Sequence, residues 1–480
     1  LFHAERGRKH KDKQQLPHNE MSHEHRIHIL QQHIQPQDQL QFSNTSATTP
    51  FPNYSQQFVL QTNQQQQHHN NKNMTSQSIF GNIPVAPRDP ILGLTQAFKE
   101  DTNPNKVNVG VGAYRTEEGK PWVLRVVRQV EKKLVEQELD KEYIPQDGLA
   151  QFTELSPKLL LGFDSRAIKE KRVAACQSIS GTGALRIATE FIKDFLPANT
   201  TVYVPDPTWG NHFKILDKVG VPRKNYRYLN KKQLTLDLQG LLEDMESAPN
   251  GSVFLLHVCA HNPTGVDPTL DQWREIAKVM QRKRHFPFFD CAYQGFASGD
   301  LDKDAASVRL FVDEFGMEVF ACQSYAKNFG LYGERIGALV FVCNNPDTAT
   351  AVLSQLKSIV RANYSSPPLQ GARIVATALA DPQLYALWKE DLVIMANRIK
   401  EMRQVLFDAL KKRNTPGNWD HIVNQIGMFS FTGLTPAQVD RMTKKHHIYL
   451  TSDGRISMSG LNHRVINYFA DAMDEVIRNA

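Results

Sequence analysis

The sequence predicts an α/β fold, with a large domain built on a mostly parallel sheet and a smaller α+β domain. Three observations predict it. From about residue 170, short apolar runs alternate with stretches of helical periodicity. The runs are dense in Val, Phe and Leu without strict alternation, the pattern of strands buried on both faces. From about residue 390 the pattern changes to one long helical stretch followed by short strand-like pieces.

The expected strands are TVYVPD (201–206), SVFLLHVCA (252–260), FPFFDCAY (286–293), EVFACQSY (318–325) and GALVFVC (337–343). Between them, GALRIATEFIKDFL places Leu185, Ala188, Phe191, Ile192 and Phe195 on one helical face. Strands alternating with helices give a mostly parallel sheet, and such sheets bind ligands at the C-terminal ends of their strands. The C-terminal stretch opens with VIMANRIKEMRQVLFDALKKR (393–413), then GMFSFTG and IYLTSDGRISMSG, expected as a helix and short strands of the second domain.

At 480 residues the chain is long enough for two domains. Its net charge of +6 is spread along the chain, without Lys/Arg blocks and interleaved aromatics, which argues against a nucleic-acid partner. The five cysteines, Cys176, Cys259, Cys291, Cys322 and Cys343, form no CxxC pair and sit mostly inside apolar runs. They are expected as reduced core residues of an intracellular protein, not zinc ligands or a disulfide frame. No apolar run approaches the length of a membrane span, and there is no secretory apolar segment.

Residues 1–73 are rich in Gln, His and Asn, as in QTNQQQQHHNNKN, and are expected to be disordered. Ordinary globular composition begins at Met74, which is the expected natural start, the preceding stretch being an upstream extension. A Gln-rich interaction arm is the alternative. A mitochondrial presequence fits poorly, because the stretch carries acids and has no Arg-rich amphipathic pattern.

Polar clusters follow the strand-like runs. SISGTGALR (178–186) leads a Ser/Gly/Thr loop into a helix, either a phosphate cradle of backbone N–H groups or simply a cap. PDPTWGNH offers Trp209 as a platform for a flat ring or as loop packing. AHNPTG (260–265) brings Asn262 in a turn, and FFDCAY ends a strand on Asp290 and Tyr293. A carboxylate beside so apolar a run needs a cationic partner. Lys327 stands in the polar break of SYAKNFGLYGER, with Arg335 at its end. A lysine inside a fold is a nucleophile toward aldehydes when its pKa is lowered. A phosphate cradle, a ring platform, an acid for a ring nitrogen and a Schiff-base lysine together describe pyridoxal 5'-phosphate.

SYAKNFGLYGERIG, AHNPTGVDPT, FDCAYQGFASGD, SGTGALRI, VNVGVGAYRTEEGKPWVL and GRISMSG closely resemble the class I aminotransferases, from about residue 80 to the C-terminus. PWVL, EKRV and NQIGMFSFTGL resemble the animal-like, cytosolic form that handles dicarboxylic amino acids. The resemblance implies a fold type I homodimer with a seven-stranded-type sheet and shared active sites, in the cytoplasm. It implies ping-pong exchange of the amino group between L-aspartate and 2-oxoglutarate, giving oxaloacetate and L-glutamate. An aromatic or broad-range aminotransferase on the same fold is the alternative. The implied domains are an arm at 74–88, a small domain at 89–120 and 391–480, and a large cofactor-binding domain at 121–390.

The resemblance also implies residue roles. Lys327 is the covalent anchor and proton carrier, and Asp290 holds the pyridine nitrogen protonated. Tyr293 and Asn262 bond the phenolic oxygen, and Trp209 stacks on the ring. Ser180, Gly181, Thr182, Ser324 and Arg335 hold the phosphate, joined by Tyr143 of the other subunit. Arg455 grips the α-carboxylate, while Arg361 reaches across the dimer to the side-chain carboxylate. Gly112 lets backbone approach the substrate, with Ser365 nearby. No metal is implied. Two departures stand out: YIPQDG replaces a YLPI-type loop after Tyr143, and DAAS (304–307) lacks the family's Trp, which is expected to alter packing and not chemistry.

Overall fold

The computed structural model describes residues 78–86 and 89–479. The Gln/His/Asn-rich stretch 1–73 and the expected start at Met74 lie outside the described residues. Pro84–Ala480 group into one compact unit, and the elements below belong to it.

Seven strands make the central sheet: β1 Val173–Ile179, β2 Val202–Asp206, β3 Arg223–Arg227, β4 Val253–His257, β5 Phe286–Cys291, β6 Val319–Ser324 and β7 Ile336–Val342. Their order is β1-β7-β6-β5-β4-β2-β3. Every neighbour pair is parallel except the two that involve β7, which runs antiparallel to both β1 and β6.

The absence of simple alternation in these strands has a direct cause. In β7, Ala338, Val340 and Val342 face one core while Leu339 and Phe341 face the other, and β6 divides Val319 and Ala321 from Phe320 and Cys322 in the same way. Helices cover both faces, so both sets of side chains leave water. Helix α1 (Ser180–Phe195) packs Leu185, Ala188, Phe191 and Ile192 into one of these cores. Phe195, expected on the same face, is 46% exposed: it ends the helix with its ring tilted against that of Phe191, centres 4.9 Å apart. All five cysteines are buried and free.

Two strands escape sequence reading. Edge strand β3 is RKNYR, with only Tyr226 buried, because an edge carries charge on its open side. Strand β1, VAACQSI, has small and polar residues. Its buried Gln177 is satisfied individually, donating from Nε2 to the Pro368 carbonyl at 2.6 Å and accepting at Oε1 from the Leu149 N–H at 3.1 Å.

Further helices are α2 (Gly210–Val219), α3 (Leu270–Lys283), α4 (Pro346–Tyr364) and α5 (Pro382–Lys412). Helix α5 begins eleven residues before the stretch recognised from periodicity, capped by Asp381 with Pro382 at its first position. The boundary expected at 390/391 therefore falls inside this 31-residue helix. Asp391, fully buried in it, accepts from the Val126 N–H at 3.1 Å and from Arg125 Nε at 2.6 Å. It thereby serves as the missing N-cap of helix Arg125–Glu136, whose own N-cap residue is Leu124. Three short ladders are also present: Val107–Asn108 pairs with Ile448–Tyr449, Leu229–Asn230 with Thr235–Leu236, and Phe429–Phe431 with Arg455–Ser457. No helix among the described residues is long and apolar enough to cross a membrane.

The tightest point of the sheet is Gly337 in β7. A Cβ there would sit 2.5 Å from the Gln323 carbonyl oxygen and 2.6 Å from the Ser180 carbonyl carbon, both backbone atoms that cannot swing aside. Gly337→Ala is therefore expected to destabilise the fold by about 1–3 kcal/mol, the usual range for overpacking. A urea midpoint unchanged from wild type would show that β1 and β6 can spread.

Candidate active site

The antiparallel course of β7 decides where the site forms. Strands β1, β4, β5 and β6 end at one edge of the sheet, and β7, reversed, begins there. Ser180 follows the end of β1, Asn262 lies in the turn after β4, Asp290 is the next-to-last residue of β5 and Ser324 ends β6. Lys327 and Arg335 then open and close the β6–β7 connection. These side chains meet in a cleft of about 260 Å³. Twelve of the fifteen residues expected from the sequence line it: Gly112, Ser180, Gly181, Thr182, Trp209, Asn262, Asp290, Tyr293, Ser324, Lys327, Arg335 and Arg455. A larger groove of about 730 Å³ lies elsewhere, along Gly299–Asp302 and Tyr385–Ile394, and holds none of them.

Tyr143, Arg361 and Ser365 are outside the cleft of this single chain. Tyr143 is 93% exposed. Arg361, exposed in the last turn of α4, donates from Nη1 to Ser365 Oγ. Tyr143 and Arg361 are the residues expected to act in the other subunit's site, whereas Ser365, expected near Gly112, is not brought into the cleft with it. Ala306, where the family's Trp is missing, is also no part of the lining.

The cradle is built from backbone. Ser180 adopts φ +60°, bending the chain out of β1 and straight into α1. The first turn of this 16-residue helix, Ser180–Thr182, presents unpaired N–H groups and the positive end of the helix dipole to the cleft. Ser180 Oγ and Ser324 Oγ are 3.0 Å apart, and a Cβ on Gly181 would press on Ser324 Cβ at 3.1 Å. Arg335, at φ +54°, is anchored by donation from Nη1 to the Tyr332 carbonyl at 3.0 Å. The set is suited to a phosphate.

On the other side, Asp290 is buried at 6% exposure. Burial pushes its carboxyl pKa up, but the hydrogen bond from His212 and the positive field of its neighbours outweigh this and hold it below the ordinary value. His212 Nε2 lies 3.1 Å from Asp290 Oδ2, and His212 Nδ1 lies 2.8 Å from Thr208 Oγ1. The β4–β5 register sets His257 beside Asp290, its Nε2 4.0 Å from Oδ2. Burial drives the His257 pKa down to about 3, so it is neutral near pH 7 and His212 is the partner that counts. Lys327 is half-buried, its Nζ 5.3 Å from the centre of the Tyr293 ring. Desolvation lowers its pKa, opposed by Asp290 and assisted by Arg335 and Arg455. Burial raises the Tyr293 pKa.

Arg455, 4% exposed, donates from Nη1 to Asn262 Oδ1 at 3.2 Å and from Nη2 to the Gly110 carbonyl at 3.0 Å. Its guanidinium lies 4.2 Å from the centre of the Phe429 ring, while its buried Nε has no partner. A buried guanidinium that lines a cleft and keeps a free donor is suited to a carboxylate. Sequence reading missed His212, His257, Tyr332 and Phe429. The signal for His212 was present, since Asp290 required a cationic or donor partner and PTWGNH contains one.

A lowered-pKa lysine, a carboxylate kept ionised, backbone donors suited to an anion and a buried guanidinium in one cleft fit an enzyme that uses an aldehyde cofactor on amino acids. Residues 104–473 match the family model for aminotransferase class I and II, and the chain belongs to that family. It is 56% identical over 400 residues to the cytoplasmic aspartate aminotransferase of Dictyostelium discoideum, covering 83% of this chain and 90% of that protein. Among solved structures it resembles the cytoplasmic aspartate aminotransferase of Saccharomyces cerevisiae, with a TM-score of 0.82 and 46% identity over 84% of this chain and 99% of that one. It also resembles an aromatic-amino-acid aminotransferase of Burkholderia pseudomallei covalently bound to pyridoxal phosphate, with a TM-score of 0.81 and 44% identity over 83% of this chain and 100% of that one.

The depressed Lys327 pKa has a measurable consequence in cofactor-free protein. The unfolded chain titrates this amine near 10.5, so between the folded pKa and 10.5 the unfolded state binds the extra proton. Stability then rises with pH across that window, and at lower pH the cost of desolvating the charge weighs against folding. Lys327→Met is expected to resist urea better than wild type at pH 7, with the advantage shrinking as pH approaches 10. A difference that stays flat with pH would show that the amine is not desolvated.

Proposed function

We propose that this chain is an aspartate aminotransferase that uses pyridoxal 5'-phosphate to exchange amino groups between L-aspartate and 2-oxoglutarate. The observation that carries the reading is the juxtaposition, in one cleft, of Lys327 with Asp290 on one side and the buried Arg455 on the other. The residues fit the cofactor. Gly181 leaves the Ser180–Thr182 turn without a side chain where an anion would rest, and Trp209 supplies a flat apolar wall. The ionised Asp290, backed by His212, is matched to a protonated ring nitrogen. When bound, pyridoxal phosphate supplies the electron sink that lets the substrate's Cα–H bond break.

The chain's own residues do the rest. Ser180, Gly181, Thr182, Ser324 and Arg335 would hold the phosphate, and Lys327 would provide the amine that anchors the aldehyde carbon. Its lowered pKa leaves Nζ able to accept a proton from Cα and return it. Asn262 and Tyr293 would donate toward the cofactor's phenolic oxygen. Arg455 holds the α-carboxylate with the donors that its contacts to Asn262 and Gly110 leave free. Gly112 must stay small, because a Cβ there would lie 2.9 Å from Phe429 Cζ. Arg361 and Tyr143 complete the site of the other subunit in a homodimer, Arg361 selecting the second carboxylate and Tyr143 joining the phosphate contacts, with Ser365 orienting Arg361. That selection favours aspartate over the aromatic alternative. We place the protein in the cytoplasm, as its relative's name states for that protein.

Turnover of aspartate with 2-oxoglutarate by wild-type protein, lost in Lys327→Ala, is the direct test; a Lys327→Ala protein that turns over normally would sink the cofactor assignment. The shared site gives a sharper one. Lys327→Ala and Arg361→Ala chains, each nearly inactive toward aspartate alone, are unfolded and refolded together. A mixed dimer of twofold symmetry has one doubly defective site and one intact site, so about a quarter of wild-type activity should return. No recovery, with mixed dimers verified by a mass tag, would rule out the cross-subunit role of Arg361.

A further inference from the structure

Arg403 of α5 is 3% exposed and forms no ion pair with any acidic group among the described residues. It donates instead to three backbone carbonyls, Ile422 from Nη1 at 2.8 Å, and Gly427 and Phe429 from Nη2, the former at 2.9 Å. Its buried Nε has no partner. An unpaired buried cation is costly, and three neutral carbonyls offset only part of that. Burial lowers its pKa to about 9, which still leaves it charged at neutral pH.

The segment it holds touches the substrate arginine from two directions. Phe429 lies beneath the Arg455 guanidinium at 4.2 Å and meets the Tyr293 ring edge-on at 6.0 Å. Ile426 donates its N–H to the Gly265 carbonyl at 2.7 Å, in the same turn as Asn262, whose Oδ1 accepts from Arg455. A Cβ on Gly265 would strike the Phe429 and Ile426 carbonyls at 2.8 and 2.9 Å, so the two segments meet backbone to backbone. We infer that Arg403 is a positioning residue for substrate binding: by gathering the carbonyls of Ile422, Gly427 and Phe429 it seats the Phe429 ring and the Asn262 turn against Arg455. Lysine cannot replace it, because a point charge on a flexible stem does not span three carbonyls as a planar fork does. The inference rests on the reading of Arg455 as the carboxylate receptor.

The test uses holoenzyme, with succinate and pyruvate as probes of carboxylate binding. Arg403→Lys is expected to raise the succinate Kd about tenfold, the scale of one lost charge-assisted hydrogen bond. At saturating aspartate, kcat should fall by less than about threefold, since only ground-state and transition-state binding in common is lost. The absorbance of the cofactor bound at Lys327, and its pH titration, should not move. An unchanged Kd in folded protein overturns the inference, and so does a Kd rise accompanied by cofactor loss or an altered titration. If Arg403→Lys does not fold, Phe429→Leu carries the test, because it leaves Arg403 and all three carbonyls in place. It must raise the succinate Kd by a similar factor, and an unchanged Kd again overturns the inference. Wild-type protein that binds pyruvate but not succinate would overturn the dicarboxylate reading, while the variant-to-wild-type ratio for pyruvate would still decide the role of Arg403.

Discussion

The site depends on one reversed strand. Were β7 parallel like its neighbours, the connection after β6 would cross the sheet, and Arg335 would begin its strand at the opposite edge from Lys327. The reversal keeps the eleven-residue connection 325–335 at the same edge, next to Ser180. It also forces backbone against backbone, and Gly337 is the residue that permits this. Its missing side chain makes room for the Ser180 carbonyl and the bend at φ +60° that starts α1. The anion-binding turn proposed for the phosphate and the lysine therefore share one mechanical origin.

Electrostatics divide the cleft into zones of opposite demand. Asp290 sits deep but stays ionised because His212 hydrogen-bonds it and is itself oriented by Thr208. Lys327 loses basicity chiefly to desolvation, with the nearby Arg335 and Arg455 adding to it and Asp290 opposing it. Neighbouring groups with pKa values pushed in these directions are the usual preparation for acid–base work. The histidine row behind Asp290 extends this order: the His257 ring lies 5.4 Å from His212 and 4.4 Å from His261, and His261 stacks on Tyr228 at 4.0 Å. Burial lowers the pKa of His257 and of His261, keeping both neutral, so the row fills space behind the carboxylate without adding charge.

Helix α5 links the parts that lie far apart in sequence. Its Trp388 donates from Nε1 to the Asn328 carbonyl at 2.8 Å, next to the lysine, and stacks on Phe329 at 4.3 Å. Asp391 caps the helix that follows Trp122, and Arg403 holds the Phe429 segment. A rigid element touching the lysine loop, the N-terminal segment and the arginine platform can keep the two ends of the cleft in register.

The sequence by itself determined the strand-end chemistry. The apolar runs at β2, β4, β5, β6 and β7, the helix after SISGTG and the polar clusters ending them are local patterns, carried by periodicity and by turn residues. Long motifs identified the family from the same local information. The sequence did not reveal β1 and β3, because a small-residue strand is satisfied by Gln177 contacts from distant loops and an edge strand needs few apolar residues. Nor did it reveal that α5 starts at Pro382, where capping by Asp381 and not periodicity sets the boundary. Only the tertiary structure decided which side chains meet. The His212–Asp290 contact joins residues 78 positions apart, and the Arg455–Asn262 contact joins residues 193 apart. Such contacts depend on strand order and on the direction of β7, which are properties of the packed sheet and leave no periodic trace along the chain.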